Sequence, residues 1–582
     1  MTVRDVIRAM QWQRSGGLIV PRYLAPTSLK YVVERLSHKD VFGGALSEAE
    51  LIGCLEGVSR SAMLSAIGQF MLRMSAGPLG DPAFQQVLIE EMLPAVTRAR
   101  VKALLRRRRQ KAVFDPQGAM ALAKMALRHS PETGHSPQQM RAAFDALPSL
   151  TLAATDALDA RVDVIRKTRD EEAGAEWLRN HVIRMVAFTH SPQYGHEAAR
   201  YSRLFLRQAY ESRSRRLADW MDIGSAFADV VGYGLEDYLA AGLALVAFQM
   251  PKNGSVDPPR ACIRPRRWLR GFPTDHGRQV MASFLGSVSA PAHRLGQRIS
   301  SELDMEFFYD FSVFEKTPLV RVPGGLVCTI QHQWLCEAVT SGVYWRLRNG
   351  LGTERKQRFC RFMGHLFEMY VSDLLTSCLP AGSVFDADMS KKKGGTDFAV
   401  FLERDAFFFE AATSHLQKHG TEVAARTSAV ERDLADLARK ASQAIRSAVD
   451  FADGRTRYTG VSARAVRRIW PVVVTLHHVP VDPFTLKRLR RQAVEGISSR
   501  PTIHMPLFVD AGELEDLCSL VESGRDLPSV IHDWVSDPDQ CEWPLANLLG
   551  ARGATRPLVR LLTADLQKLA DGARSVFGGA DS

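Results

Sequence analysis

The sequence predicts a multidomain protein with an α-helical N-terminal half and a C-terminal α/β domain built on a central mixed sheet. Three observations carry this expectation. At 582 residues the chain exceeds one ordinary hydrophobic core, and roughly two to four domains are expected. Apolar residues recur at helical spacing from the N-terminus to about residue 290, as in helices with one buried face. Between Met363 and Leu476 the pattern changes to helix, three strands, helix and strand, an order of α/β type. The expected divisions are 1–290 for the helical part and 291–350 for a linking segment with a hairpin and a helix. An α/β core at 351–480 and an α/β extension of it at 481–582 complete the chain.

Composition narrows the class. Hydrophobic residues make up 46% and charged residues 24%, the proportions of a soluble globular protein. Lysine and arginine number 75 against 64 acidic residues, a net charge of +11 that suits a polyanionic partner. The eight cysteines include no C-x-x-C pair and none with histidines at zinc-finger spacing. They are expected to be reduced, mostly buried thiols of a cytoplasmic protein. The N-terminus lacks the uninterrupted apolar core of a signal peptide. The longest apolar run, near Tyr238–Met250, is about thirteen residues, short of the ~20 that span a bilayer, so no membrane association is expected. The chain also lacks G-x-x-x-x-G-K-[ST], and ATP hydrolysis on a loop of that type is not indicated.

Along the helical half, Ser47 followed by Glu50 has capping-box spacing and marks a helix start. A break at Gly57-Val58 leads to a second helix from Ser59; the pair is either plain helical packing or a DNA-reading helix-turn-helix. The next helix, Pro82 to about Lys111, ends in a run from Arg98 with eight basic residues in fourteen and no acidic one. Cations there complement the helix dipole. Arg106, Arg107, Arg108 and Arg109, however, wrap around the helix as a candidate phosphate-contacting patch, with a solvated face as the alternative. Turn signals at Pro148, Pro192 and Gly195 divide Ser136–Tyr210, where His181, His190 and His196 lack partners at ligand spacing and are read as ordinary histidines. Pro251–Pro273, rich in Pro, Gly and Arg, is expected to be a long loop and a second candidate phosphate contact. The aromatic run Phe307–Phe314 is read as core rather than a stacking platform. A hairpin over 319–330 with a Pro-Gly-Gly turn and a helix from Trp334 to about Gly350 follow. Beyond the core come a helix Phe484–Glu495, a strand Thr502–Val509 and a helix Ala511–Ser523 capped by Gly524.

The stretch from Met363 to Gln443 carries the chemistry. Its first helix bears Glu368. After a strand over Ser383–Asp388, Asp397 stands near the start of the strand Gly394–Leu402. Glu410 stands near the end of the strand Ala406–Ser414, and the helix Glu422–Val449 follows. Neighbouring strands can bring Asp397 and Glu410 to one sheet edge, with Glu368 reaching them from its helix. Three converging carboxylates suit a hard divalent cation, which prefers oxygen ligands. Glu410 sits between Phe407-Phe-Phe and Ala-Ala, where a carboxylate without a cation or donor is costly. The alternative reading is two ordinary strand-end charges.

In this order and spacing the stretch resembles the PD-(D/E)XK nuclease superfamily, whose core runs α-β-β-β-α-β with a helix Glu, a strand Asp and an (Asp/Glu)-x-Lys on the next strand. Glu368, Asp397 and Glu410 match the acidic positions; Ala412 stands at the lysine position. The resemblance implies a restriction-endonuclease-like domain and a Mg²⁺- or Mn²⁺-dependent hydrolase of phosphodiester bonds, with DNA the substrate on family precedent. It implies that Asp397, Glu410 and the Ala411 carbonyl hold the metal, and that Glu368 completes a second metal position or orients water. In the family the lysine helps activate the nucleophile and stabilise the transition state. Lys391, Lys392 and Lys393, or Lys440 on the following helix, are the candidates to replace it. Lys440 is first choice, because a helix beside the sheet edge projects it and Gln443, one turn apart, toward the carboxylates. A helical module on such a nuclease fits bacterial restriction or antiviral defence, its helical half binding nucleic acid or a protein partner. Ala412 favours the alternative, a catalytically inactive nuclease fold acting as a nucleic-acid-binding or assembly platform.

Overall fold

Helix starts and stops in the N-terminal half follow local chemistry wherever nothing larger overrides it. The computed structural model describes residues 12–15, 18–21, 34–74, 82–107, 111–114, 116–133, 136–166, 194–215, 217–250, 261–300, 302–303, 307–308, 310–386, 395–413, 427–479, 483–497, 500–537, 541, 545, 548–549 and 557–578. Strands β1 (Trp12–Ser15) and β2 (Leu18–Pro21) pair antiparallel, and β3 (Glu34–Arg35) pairs in parallel with β4 (Lys111–Ala112). Helix α1 (Glu48–Glu56) begins with the expected capping box: Ser47 accepts from the Glu50 N–H while Glu50 accepts from the Ser47 N–H. Helix α2 (Arg60–Met74) is buried on nearly every side from Ser61 onward. That excludes the helix-turn-helix reading, since a helix surrounded by its own core has no face to offer a groove.

Two prolines behave in opposite ways. Pro94 divides the basic stretch into α3 (Pro82–Met92) and α4 (Ala95–Arg107), where one helix was expected, because its ring and missing N–H break the preceding turn. Pro148, expected to mark a turn, lies inside the long helix α6 (Pro137–Arg166), which follows α5 (Pro116–His129). Leu147, Leu150, Leu152 and Ala153 around it are buried, and that packing outweighs the local cost. Likewise, Pro251–Pro273 is not all loop. Residues 251–260 lie outside the described residues, but Cys262–Ile263 form strand β5 and Pro265–Leu269 the short helix α7. The expected helix from Trp334 to Gly350 is two, His332–Ala338 and Ser341–Gly350, with non-helical backbone at Thr340 between them.

The chain is mainly helical, with mixed sheets in its C-terminal part. It forms two compact units, neither continuous in sequence. One comprises 1–178, 237–339 and 572–582; the other comprises 179–236 and 340–571. The segment 291–350, read from sequence as a link, is therefore divided between them, and part of the helical half joins the C-terminal unit. Buried side chains explain the latter. Arg200 Nη2 donates to Glu515 at 3.0 Å, and Arg203 reaches Asp373 at 2.6 Å and Asp565 at 3.0 Å.

In the first unit, β6 (Ser289–Pro291), β7 (Leu319–Val322) and β8 (Leu326–Thr329) join β5 in the order β5-β8-β7-β6. The expected hairpin is β7–β8. Phe307, Phe308, Phe311 and Phe314 are fully buried, as the core reading required.

In the second unit, α8 (Thr353–Cys378) precedes β9 (Val384–Asp386), β10 (Phe398–Leu402) and β11 (Asp405–Ala412). Then come α9 (Thr427–Ala452), β12 (Arg468–Thr475), α10 (Pro483–Val494), β13 (Leu507–Asp510) and α11 (Ala511–Glu522). The sheet order is β13-β12-β11-β10-β9. Its β9–β10 and β10–β11 pairs are antiparallel, and β11–β12 and β12–β13 are parallel. Strand β13 is shorter than its apolar run suggested, because Pro506 supplies no N–H. Gly524, at φ 88°, takes the left-handed position after α11. Among the described residues no single helix is long and apolar enough to cross a membrane.

Candidate active site

Strand β11 reads Asp-Ala-Phe-Phe-Phe-Glu-Ala-Ala, and its side chains alternate between faces. Phe407 and Phe409 enter an apolar layer with Leu375 of α8 and Leu514 of α11. Ala406 and Phe408 pack instead with Ala448 and Phe451 of α9. Ala412 borders the cluster containing Leu437 and Ala441 of α9. The alternation therefore turns Glu410 toward α9, on the same face as Ala412. Each buried Phe contributes roughly 1.5–3 kcal/mol, so a slip of one residue, which would reverse every side chain, is strongly disfavoured.

The hairpin register supplies the second carboxylate. Phe398 pairs with Phe409, and one step beyond the ladder Asp397 stands across from Glu410. The Asp397 N–H donates to the Phe409 carbonyl at 3.1 Å, and the Ala411 N–H donates to Asp397 Oδ2 at 2.8 Å. Thr396 Oγ1 donates to the Phe409 carbonyl at 2.6 Å, and Gln443 Nε2 donates to the Gly395 carbonyl at 2.9 Å. These bonds tie the approach to β10 to both β11 and α9.

Lys440 lies at the edge of the apolar stripe that α9 presents to the sheet. Its stem can cover apolar surface while the amine reaches polar groups. Its Nζ is 2.9 Å from Glu410 Oε2 and 3.9 Å from Asp397 Oδ2. Side-chain exposure rises outward from 0% at Glu410 through 19% at Asp397 and 24% at Lys440 to 39% at Glu368, so Glu410 bears the greatest desolvation. Burial, with the Asp397 charge beside it, pushes the Glu410 carboxyl up to about 8 against the opposing pull of Lys440. Burial also raises Asp397, although Lys440 and the Ala411 N–H favour its charged form. Burial and the Asp397 charge raise Glu368. For Lys440, burial opposes the charge, but Glu410 and Asp397 outweigh it and raise the amine.

Three carboxyls thus share one ammonium. Glu410 Oε1 is buried and, among the described residues, receives no hydrogen bond. Such a site is short of positive charge. Two residues that sequence reasoning passed over add to it. His365, one turn before Glu368, places Nδ1 3.6 Å from Glu368 Oε2; its spacing on α8 was the available signal. Asp386 on β9 pairs with Phe398 of β10, and its charge adds to the raising of Asp397.

The structure brings Glu368, Asp397, Glu410 and Lys440 together. Lys391, Lys392 and Lys393 lie outside the described residues. Among the described residues no group of three or more His, Cys, Asp or Glu side chains forms a metal-ligand cluster, so any cation here rests mainly on Asp397 and Glu410. Of the arginine run, Arg106 is exposed near the end of α4; the Arg107 side chain, Arg108 and Arg109 lie outside the described residues. Arg98 and Lys102 on the same helix both pair with Glu90 of α3, Arg98 at 2.8 Å. Part of the basic helix is thereby neutralised.

The raised Glu410 carboxyl predicts a pH dependence of stability in metal-free protein. Its ordinary value is 4.5 and its folded value about 8. Between the two, the folded state holds the extra proton, so stability present below the lower value is lost as pH rises through the higher. In EDTA the thermal midpoint of Glu410→Gln is expected to fall less than that of the wild type between about pH 5 and 8. Parallel pH profiles for the two proteins would contradict a desolvated Glu410.

No family profile, curated protein or solved structure matches the chain.

Proposed function

We propose that this chain is a Mg²⁺- or Mn²⁺-dependent nuclease with a restriction-endonuclease-like domain, in which Lys440 takes the place left by Ala412. One observation carries the reading: the Lys440 amine lies 2.9 Å from Glu410 and 3.9 Å from Asp397, on the face that Ala412 shares with Glu410. A cation fits these residues because, among the described residues, Glu410 Oε1 is buried without a donor and the carboxyls outnumber the ammonium. Mg²⁺ commonly binds through one or two carboxylates and keeps several waters, so Asp397 and Glu410, with the Ala411 carbonyl, form a sufficient donor set. When bound, the cation supplies charge stabilisation at the attacked phosphate and leaving oxygen.

The chain's own groups do the rest. Lys440, held by Glu410, keeps a fixed positive charge beside the phosphate position, where exclusion of water strengthens it. Glu368, the more open carboxylate, orients a water by accepting its hydrogen bond. DNA is the substrate favoured by the resemblance, and cytoplasmic restriction or antiviral defence is the setting in which the helical half engages nucleic acid or a partner protein.

The direct test is plasmid DNA incubated with the purified chain. Cleavage with Mg²⁺ or Mn²⁺ and none in EDTA is the expected result. DNA binding without cleavage under either metal would support the second reading, an inactive binding or assembly platform, which Ala412 favours. For the arginine run, replacing Arg106–Arg109 with Gln is expected to lower the slope of log affinity against log salt by about 0.9 for each lost phosphate contact. An unchanged slope would identify a solvated helix end.

A further inference from the structure

Cys262 on β5 stands opposite Cys328 on β8 in an antiparallel pair. At the next position the Thr329 N–H donates to the Ala261 carbonyl at 2.8 Å, so Cys262 and Cys328 occupy a non-hydrogen-bonded position. There the Cα atoms of antiparallel strands approach to ~4.5 Å and side chains stand closest, within the ~4.4–6.8 Å that a disulfide spans. The two Sγ atoms are 2.8 Å apart.

Helix α2 holds the strands in this position. A Cβ on Gly68 would lie 2.3 Å from the Thr329 carbonyl oxygen and 3.2 Å from the Ala261 Cβ, so bare helix backbone presses on both strands beside the pair. Ser65 Oγ, one turn earlier, is 3.4 Å from Cys328 Sγ. The thiols are not equivalent. Cys262 is partly accessible, whereas Cys328 is fully buried.

We propose that Cys262 and Cys328 form an oxidation site at which hydrogen peroxide converts the thiol pair to a disulfide linking β5 to β8. The Cys262 thiolate attacks the peroxide, breaking the O–O bond, and becomes a sulfenic acid as one hydroxide leaves. The Cys328 thiol then attacks the Cys262 sulfur, forming the S–S bond and releasing water. The departing hydroxide takes up the proton that Cys262 lost on ionising, so two thiols are oxidised to one disulfide and one hydrogen peroxide is reduced to two waters. The order of events follows from the pair itself. The hydrogen bond with Cys328 lowers Cys262, and the same bond, with burial, raises Cys328. Cys262, the partly accessible sulfur that a peroxide reaches first, is thus the attacking thiolate, and the buried Cys328 is the resolving thiol.

The test uses the full chain treated with hydrogen peroxide, alkylated, digested without reduction and mapped by mass spectrometry. Peptides carrying Cys262 and Cys328 are expected to merge into one cross-linked species that a dithiol reductant reverses, with two of the eight cysteines lost to alkylation. Cys328→Ala is expected to accumulate a Cys262 sulfenic acid that dimedone traps. If Cys262 and Cys328 stay separately alkylated while other thiols oxidise, or oxidise to sulfinic acids without linking, the proposal is overturned. The wild-type map alone decides this if the variant does not fold.

Discussion

Asp397→Asn and Glu410→Gln are each expected to abolish metal-dependent cleavage, by at least about 10³-fold if each removes some 4 kcal/mol of charge stabilisation. Both changes keep side-chain shape, and Asn can still accept from the Ala411 N–H that holds Asp397 at 2.8 Å. The β10–β11 register should therefore survive, and circular dichroism and thermal melting separate lost chemistry from lost fold. The two variants differ in one respect. Glu410→Gln removes a fully buried carboxyl that is raised to about 8, so it relieves charge repulsion on Asp397 and is the better tolerated in EDTA. Asp397→Asn leaves Lys440 with Glu410 at 2.9 Å and perturbs less electrostatically. Cleavage by both variants at the wild-type rate would remove the carboxylate site from the mechanism.

Lys440→Met is expected to lower cleavage about 10²-fold or more, the scale of one lost electrostatic group, with little change in DNA affinity. The metal requirement should not rise, because removing a neighbouring ammonium favours a divalent cation on Asp397 and Glu410. Loss of rate without loss of metal affinity distinguishes a positioned charge from a structural ion pair. A second variant sharpens the test. Ala412 shares the Glu410 face, so Ala412→Lys in the Lys440→Met background places an amine near the same carboxylate. Partial recovery of cleavage is expected; none, with the double variant folded, would show that the charge must approach from α9. Wild-type rates for Lys440→Met would make Lys440 a mere counter-ion for Glu410.

Much of this geometry follows from short-range rules. The period of two in β11 puts Glu410 on one face with Ala406, Phe408 and Ala412. The Ser47–Glu50 cap and the Gly524 stop are local hydrogen-bond and backbone preferences, readable without a fold. The order helix, three strands, helix and strand is likewise a matter of period and turn residues.

What the sequence by itself determined, then, was the order of elements around the site and that Glu410 and Ala412 share one face of β11; which way that face looks, and other longer-range matters, were left to tertiary structure. Lys440 and Lys391–Lys393 were both available in the sequence to replace a lysine at 412, and only the packing of α9 on the sheet placed Lys440 2.9 Å from Glu410 across thirty residues of chain. Pro94 and Pro148 are the same residue with opposite outcomes: one divides α3 from α4 and the other lies inside α6 among buried leucines, a choice that the ring and the missing N–H do not make by themselves. Arg200 meets Glu515 across 315 residues, which no period encodes, and so the segment before residue 237 belongs with the C-terminal unit. Cys262 and Cys328, too, are partners only through the β5–β8 register. Period and capping act over a few residues and are written in the order of side chains, whereas charge partners and strand neighbours are selected by whichever surfaces bury the most apolar area together.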